Sequence, residues 1–176
     1  MTSQSSFLKV EMEAINPTHN KPSHKKIGNR RKGREAALQM LYLCDNCKLP
    51  KEDTLVFFWQ GFKEPSNQLI TSFANELFNG ITDNKDFIDD FIIKKAKNWK
   101  MDRMAVIDRN ILRLATYEII YMHQTPLNVI IDEAVEIAKT FSTQESGKFV
   151  NGILDKLKTA RQPKEETPQK DTDNPS

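Results

Sequence analysis

Apolar side chains recur along the middle of this chain at the three- and four-residue spacing of an α-helix, and no stretch alternates at the two-residue period of a strand. Ala37, Met40, Leu41 and Cys44 form the first stripe. A short apolar piece around Leu55–Trp59 follows and is closed by Gly61 and Pro65. Leu69, Phe73, Leu77 and Phe78 mark a helix expected to end near Gly80. Asp83 is the expected cap of the next helix, with Phe87, Ile88, Phe91, Ile92 and Lys95 along it. Ile107, Ile111, Leu114, Ala115, Ile119 and Met122 make a further amphipathic stretch. The last two helices have the clearest starts. Thr125 and Pro126 supply a cap and a first-turn proline before Leu127, Ile130, Ile131, Ala134, Ile137, Ala138 and Phe141. Ser146 is the expected cap of the final helix, which turns Phe149, Val150, Ile153, Leu154 and Leu157 inward. The pattern predicts an all-α bundle of six or seven helices.

The ends of the chain read differently. Residues 1–28 are mostly Ser, Asn, His, Lys and Pro, with Pro17 and Pro22 breaking any long helix, and residues 160–176 have no apolar side chain beyond Ala160. Both are expected to be disordered, because neither offers enough apolar surface to offset its ordering entropy. The folded domain is therefore expected over residues 29–159. The longest run free of Asp, Glu, Lys and Arg is Ile119 to Ile131, and it contains His123, Gln124 and Pro126, which excludes a membrane span there. Lys9 interrupts Phe7, Leu8 and Val10, so no secretory h-region forms and a cytoplasmic location is expected.

Charge sharpens the picture. The net charge of +2 conceals a first segment, residues 1–34, with eight Lys/Arg against Glu11 and Glu13. A basic arm on a mildly acidic body suits a polyanionic partner. Arg30, Arg31, Lys32 and Arg34 open the first helix, where cations oppose the macrodipole, which argues against a purely structural role. A solubilising arm is the competing role. Gly33 weakens the first turn, so this helix is expected to firm up on binding. Single-stranded RNA also needs planar groups for its bases, and Tyr42, Phe141 and Phe149 are available. Each of the three lies on an apolar stripe or at its end, where core packing is the commoner role.

Catalytic chemistry is poorly supplied. His123 is alone in the folded part, and Asp89, Asp90, Glu133 and Glu136 are paired as solvated helix faces usually are. Ser146, Gly147 and Lys148 fail as a phosphate loop, because Ser142 stands where a glycine is needed and Phe149 where a hydroxyl is needed. Cys44 and Cys47 have C-x-x-C spacing but end a helical pattern and lack two further ligands, so ordinary thiols are expected, with no metal and no cofactor.

Three segments resemble the NusB family of transcription antitermination factors. They are RRKGREAALQMLY (Arg30–Tyr42), DRNILRLATYE (Asp108–Glu118), and IDEAVEIAKTF (Ile131–Phe141) followed by SGKFVNGILDKL (Ser146–Leu157). The resemblance implies about seven helices in two small packed bundles. It implies binding of boxA-type single-stranded RNA in nascent ribosomal RNA transcripts, together with NusE, a small-subunit ribosomal protein. An assembly with NusA and NusG on RNA polymerase follows from it, as does self-pairing in some members. Carried over by residue, it places RNA contacts on Arg30, Arg31, Lys32, Arg34, Arg113, Phe141, Glu145, Lys148 and Phe149, and a NusE face at Asp108 and Glu118. A similar module opens the Sun-type ribosomal RNA cytosine methyltransferases, a reading that needs a large following domain. A helical protein-interaction adaptor is the other alternative.

Overall fold

The computed structural model describes residues 2–15, 28–62, 67–96 and 99–160. The helices among these residues are α1 (Thr2–Ala14), α2 (Asn29–Asn46), α3 (Lys51–Val56), α4 (Gln68–Asp83), α5 (Lys85–Lys95), α6 (Val106–Tyr121), α7 (Leu127–Phe141) and α8 (Gln144–Leu157). A π-helical turn, Phe57–Phe62, continues α3, and short 3₁₀ turns lie at Met101–Arg103 and Lys158–Ala160. No strand occurs among the described residues. The all-α expectation holds, and α1 is the helix it did not include.

Helix α6 is the hub. Ile111, Leu112, Leu114, Ala115 and Ile119 are all buried, so its apolar surface wraps most of the way round, as a central helix requires. It packs on α2 and α4, and also on α5, α7 and α8. Helices α2, α3 and α4 pack on one another, as do α7 and α8, and so two small bundles share α6. The connection between α7 and α8 is only Ser142 and Thr143, which forces an antiparallel pair.

Several local expectations are corrected. The segment 1–28 is not disordered throughout: Thr2–Ala14 is helical, with Leu8, Met12 and Ile15 buried. Those three residues are four and three apart, a short helical stripe that the polar composition of the whole segment hides. Glu11 anchors the helix by accepting hydrogen bonds from the Tyr42 hydroxyl (2.9 Å) and the Asn46 amide (3.2 Å). Residues 16–27, with Lys21, Lys25 and Lys26, and residues 161–176 lie outside the described part.

Gly80 does not end α4. A Cβ there would fall 2.1 Å from the Tyr117 hydroxyl, so the glycine lets α6 approach mid-helix. The cap of α8 is Thr143, whose hydroxyl accepts from the Ser146 N–H at 3.0 Å. Asn84, not Asp83, precedes α5. Leu69 and Phe87 point outward, while Ile70, Phe73, Ala74, Leu77, Phe78 and Ile81 line the buried face of α4.

Candidate nucleic-acid interface

The basic opening of α2 is sorted by its neighbours. Gly28 caps the helix in extended backbone without a side-chain hydrogen bond, and no acid stands in the first turn. The first turn therefore carries positive charge from Arg30 and Lys32 that no acid of its own turn offsets, added to the helix dipole. Arg30 is exposed and lays its guanidinium 4.1 Å above the Phe73 ring centroid, a cation–π contact that orients it without neutralising it. Lys32 is exposed, and neither residue has an ion pair among the described residues. Beside Arg30, a shallow cleft of about 270 Å³ is lined by Asn29, Leu69, Ser72, Phe73 and Glu76.

Arg31 is half-committed. Its Nη2 donates to Glu133 Oε1 at 2.8 Å and its Nε pairs with Oε2 of the same carboxylate, both side chains being partly exposed. The hydrogen bond to Glu133 raises the Arg31 pKa. Burial pushes the Glu133 carboxyl up, but the Arg31 hydrogen bond and the charges of Arg31 and Arg34 bring it below its ordinary value.

Arg34 and Arg113, expected among the RNA contacts, lie inside the fold as internal ties. Arg34 is 3% exposed and forms two hydrogen bonds with the buried Glu118 carboxylate. Arg113 is 4% exposed and reaches Asp89 with Nε (2.7 Å) and Nη2 (2.8 Å), while its Nη1 donates to Asp45 (2.7 Å) and Asn110 (2.8 Å). Four of the five N–H donors of Arg113 are taken within the protein, and burial keeps the group from solvent. The two residues expected at a NusE face, Asp108 and Glu118, are held inside the fold as well. Asp108 is buried and accepts from the Ser146 hydroxyl at 3.0 Å, and Glu118 lies beneath Arg34.

The other expected contacts gather at the turn between α7 and α8. Phe141 ends α7 half-buried, and Glu145 and Lys148 are exposed on the first turns of α8. Ser142 and Thr143 hydroxyls lie 2.8 and 3.1 Å from the Ser146 hydroxyl, which ties the turn to Asp108 on α6. Gly147 admits Lys139 of α7, whose Cγ would stand 3.0 Å from a Cβ. Phe149 is half-buried beneath Trp99, their rings meeting edge-on at 4.8 Å and 64°. Tyr42, the third aromatic considered, is tied to α1 by Glu11.

The basic and aromatic groups thus form two clusters. One lies at Glu118 and the other at Asp108, ten positions apart on α6, or about 15 Å of helix rise. Sequence reasoning missed Trp99 and the role of Glu133. The signal for Trp99 was a large aromatic in a polar link between two helices. Glu133 offered none, since its partner is remote in the chain. Cys44 and Cys47 are free thiols, and burial pushes both pKa values up, which makes them poor nucleophiles.

The sequence pattern of the NusB family matches residues 31–159. The chain belongs to the NusB family. It is 46% identical over 136 residues to the transcription antitermination protein NusB of Thermodesulfovibrio yellowstonii, covering 73% of this chain and 90% of that one. It is 41% identical over 131 residues to the protein of the same name from Desulfatibacillum aliphaticivorans, with 74% and 90% covered. The fold matches the crystal structure of T. maritima NusB with a TM-score of 0.69 and 38% identity, over 80% of this chain and 97% of that one. It also matches a chain in the crystal structure of antitermination factors NusB and NusE in complex with dsRNA, with a TM-score of 0.68 and 25% identity, over 75% and 97%. NusB proteins are antitermination factors and not enzymes. Within this NusB-family domain the matched segment starts at Arg31, so α1 and Arg30 stand before it.

Proposed function

We propose that the protein is a transcription antitermination factor that binds boxA-type single-stranded RNA of nascent ribosomal transcripts together with NusE. The observation that carries this is the coincidence of a NusB-family domain with two exposed cations, Arg30 and Lys32, that have no ion pair among the described residues, at the start of α2, where no side chain caps the helix. Arg30 and Lys32 take phosphates, and Arg31 joins them by leaving Glu133. Glu145 and Lys148 face the strand at the second cluster, where Phe141 and Phe149 form the apolar floor. Relatives matched over 90% of their length are antitermination proteins, which favours this reading over a methyltransferase module or an adaptor.

The active form is an assembly with NusE, NusA and NusG on the transcribing polymerase in the cytoplasm. No described helix is long and apolar enough to cross a membrane. Asp108 and Glu118, both buried, would act on a NusE surface only through the side chains that cover them. Self-pairing over the basic face would compete with RNA, and sedimentation with and without RNA reads this directly.

The test is a titration of labelled boxA-type, scrambled and duplex RNA, with and without NusE, at several salt concentrations. Binding should fall with salt at a slope of about −0.7 per neutralised phosphate. Arg30→Ala with Lys32→Ala should flatten the slope and weaken every RNA alike, since phosphate contacts position without specifying. Equal binding of boxA-type and scrambled RNA in the presence of NusE would overturn the boxA assignment.

A further inference from the structure

Of the two rings that meet on α8, Trp99 is the exposed one and Phe149 the half-buried one. Trp99 lies in the link between α5 and α6 and is 48% exposed. Its backbone N–H donates to the Ala96 carbonyl at 2.7 Å, which ties Trp99 to the C-terminal end of α5. Phe149 packs against the main core and meets the indole edge-on, so one side of the indole is braced while about half of the residue stays exposed.

Charges of both signs flank the two rings in the chain, the acids being Asp102 and Glu145, both exposed. Lys100 follows Trp99 in the chain and Lys148 precedes Phe149, and both are exposed. Lysine is depleted in the centres of protein–protein contacts, whereas a ring flanked by cations is how single-stranded nucleic acid is held. A large ring in water is unfavourable by itself, and a planar base is the ligand that covers it while leaving its charged neighbours to phosphates.

We propose that Trp99 is a nucleobase-stacking site, with Phe149 as its brace and Lys100 and Lys148 as its phosphate contacts. This rests on the reading above that the protein binds single-stranded RNA. A base paired within a duplex has no free face for the indole, so the site selects unpaired RNA. It lies at the Asp108 end of α6, and an RNA reaching Arg30 as well must span the separation between the two clusters.

The experiment uses the full chain and a fluorescein-labelled boxA-type oligonucleotide, read by anisotropy, alongside tryptophan emission with the unlabelled oligonucleotide. Trp59, the other tryptophan, is half-buried and bonded to Asn75 at 2.8 Å, so its emission is expected to stay constant. Wild-type emission should be quenched on RNA addition, and the quench should vanish in Trp99→Phe. Trp99→Ala should weaken binding about tenfold with the salt slope unchanged, whereas Trp99→Phe should stay within about threefold. Lys148→Ala should instead reduce the slope by about 0.7. Should Trp99→Ala melt early, the quench and the phenylalanine variant still decide. RNA binding without a quench, or wild-type affinity in Trp99→Ala, overturns the site and leaves the proposed function standing. A quench on adding NusE without RNA overturns it too and makes Trp99 a protein contact. Failure of the wild type to bind any RNA overturns the underlying reading and the site with it.

Discussion

Arg34 and Glu118 meet across the contact of α2 with α6 through two hydrogen bonds, Nε to Oε1 at 2.8 Å and Nη2 to Oε2 at 2.7 Å. Their side chains are 4% and 0% exposed. The fork of the guanidinium matches the carboxylate oxygens, which sets both the spacing and the rotation of the two helices. Arg34 also lies 3.5 Å from Glu133, so α7 is drawn into the same joint.

Removing one member of this pair should therefore damage folding more than binding. Arg34→Ala or Glu118→Ala leaves a buried charge without its partner, at an expected cost of about 3–5 kcal/mol. Urea unfolding followed by helical circular dichroism measures that loss. RNA affinity of the folded fraction should match the wild type. An Arg34→Ala protein of normal stability that bound RNA weakly would return Arg34 to the contact surface.

Gly33 makes an opposite test, because helix propensity and packing disagree there. Alanine is the better helix former by about 1 kcal/mol. Its Cβ, however, would stand 2.7 Å from Phe73 Cδ1 and 3.4 Å from the Ile70 carbonyl oxygen. Displacing that ring also disturbs the seat of Arg30. Gly33→Ala should lose about 1–3 kcal/mol in a chemical denaturation series and weaken RNA binding. A gain in stability would show that the Phe73 ring moves aside freely.

Acid should loosen the joint at the other end of α2. Burial pushes the Asp45 carboxyl up, but hydrogen bonds from Arg109 and Arg113 and their charges bring it down to about 2. An unfolded aspartate titrates near 3.9. The stabilisation is thus complete above about pH 4 and is lost as pH falls through about 2, a pH-dependent part on the order of 2 kcal/mol. Urea midpoints between pH 2 and 6 should show Asp45→Asn differing most from wild type near neutrality and converging with it in acid. A constant difference across the range would remove Asp45 from the acid response.

Base should act on the docking of α1. Burial first, then the hydrogen bond to Glu11, raises the Tyr42 pKa to about 12. A tyrosine in an unfolded chain titrates near 10. The contribution is complete below about pH 10 and disappears as pH rises through 12. Met12 is fully buried, so Met12→Asp should release α1 and bring Tyr42 back toward 10, visible in phenolate absorbance against a Tyr42→Phe control. The remaining domain should stay folded, because the family match begins at Arg31. An unshifted Tyr42 would mean that α1 does not control it.

Much of the fold is legible in the sequence because helical periodicity is local. The stripes over Ile130–Ala138 and Val150–Leu157 are buried as their spacing dictates. What went astray were signals that serve two purposes. Gly80 reads as a stop and is a packing site for Tyr117; Ser146 reads as a cap and is the second partner of the real cap, Thr143. At the N-terminus, Leu8, Met12 and Ile15 were outweighed by the composition around them, yet a partner surface on α2 was enough to fold them.

The sequence by itself determined the helical class, the inward faces, the family and the placement of positive charge at the start of α2, since all of these are written within a few turns of chain. It could not say what each charge does. Arg30, Arg31 and Arg34 look alike in sequence, yet one stacks on Phe73, one shares Glu133 from 102 positions away, and one is buried on Glu118 from 84 positions away. Trp99 and Phe149 are likewise far apart in the chain and meet edge-on. Only tertiary packing brings such partners within hydrogen-bond or van der Waals range, and burial then decides which charges stay with the protein and which remain for a ligand.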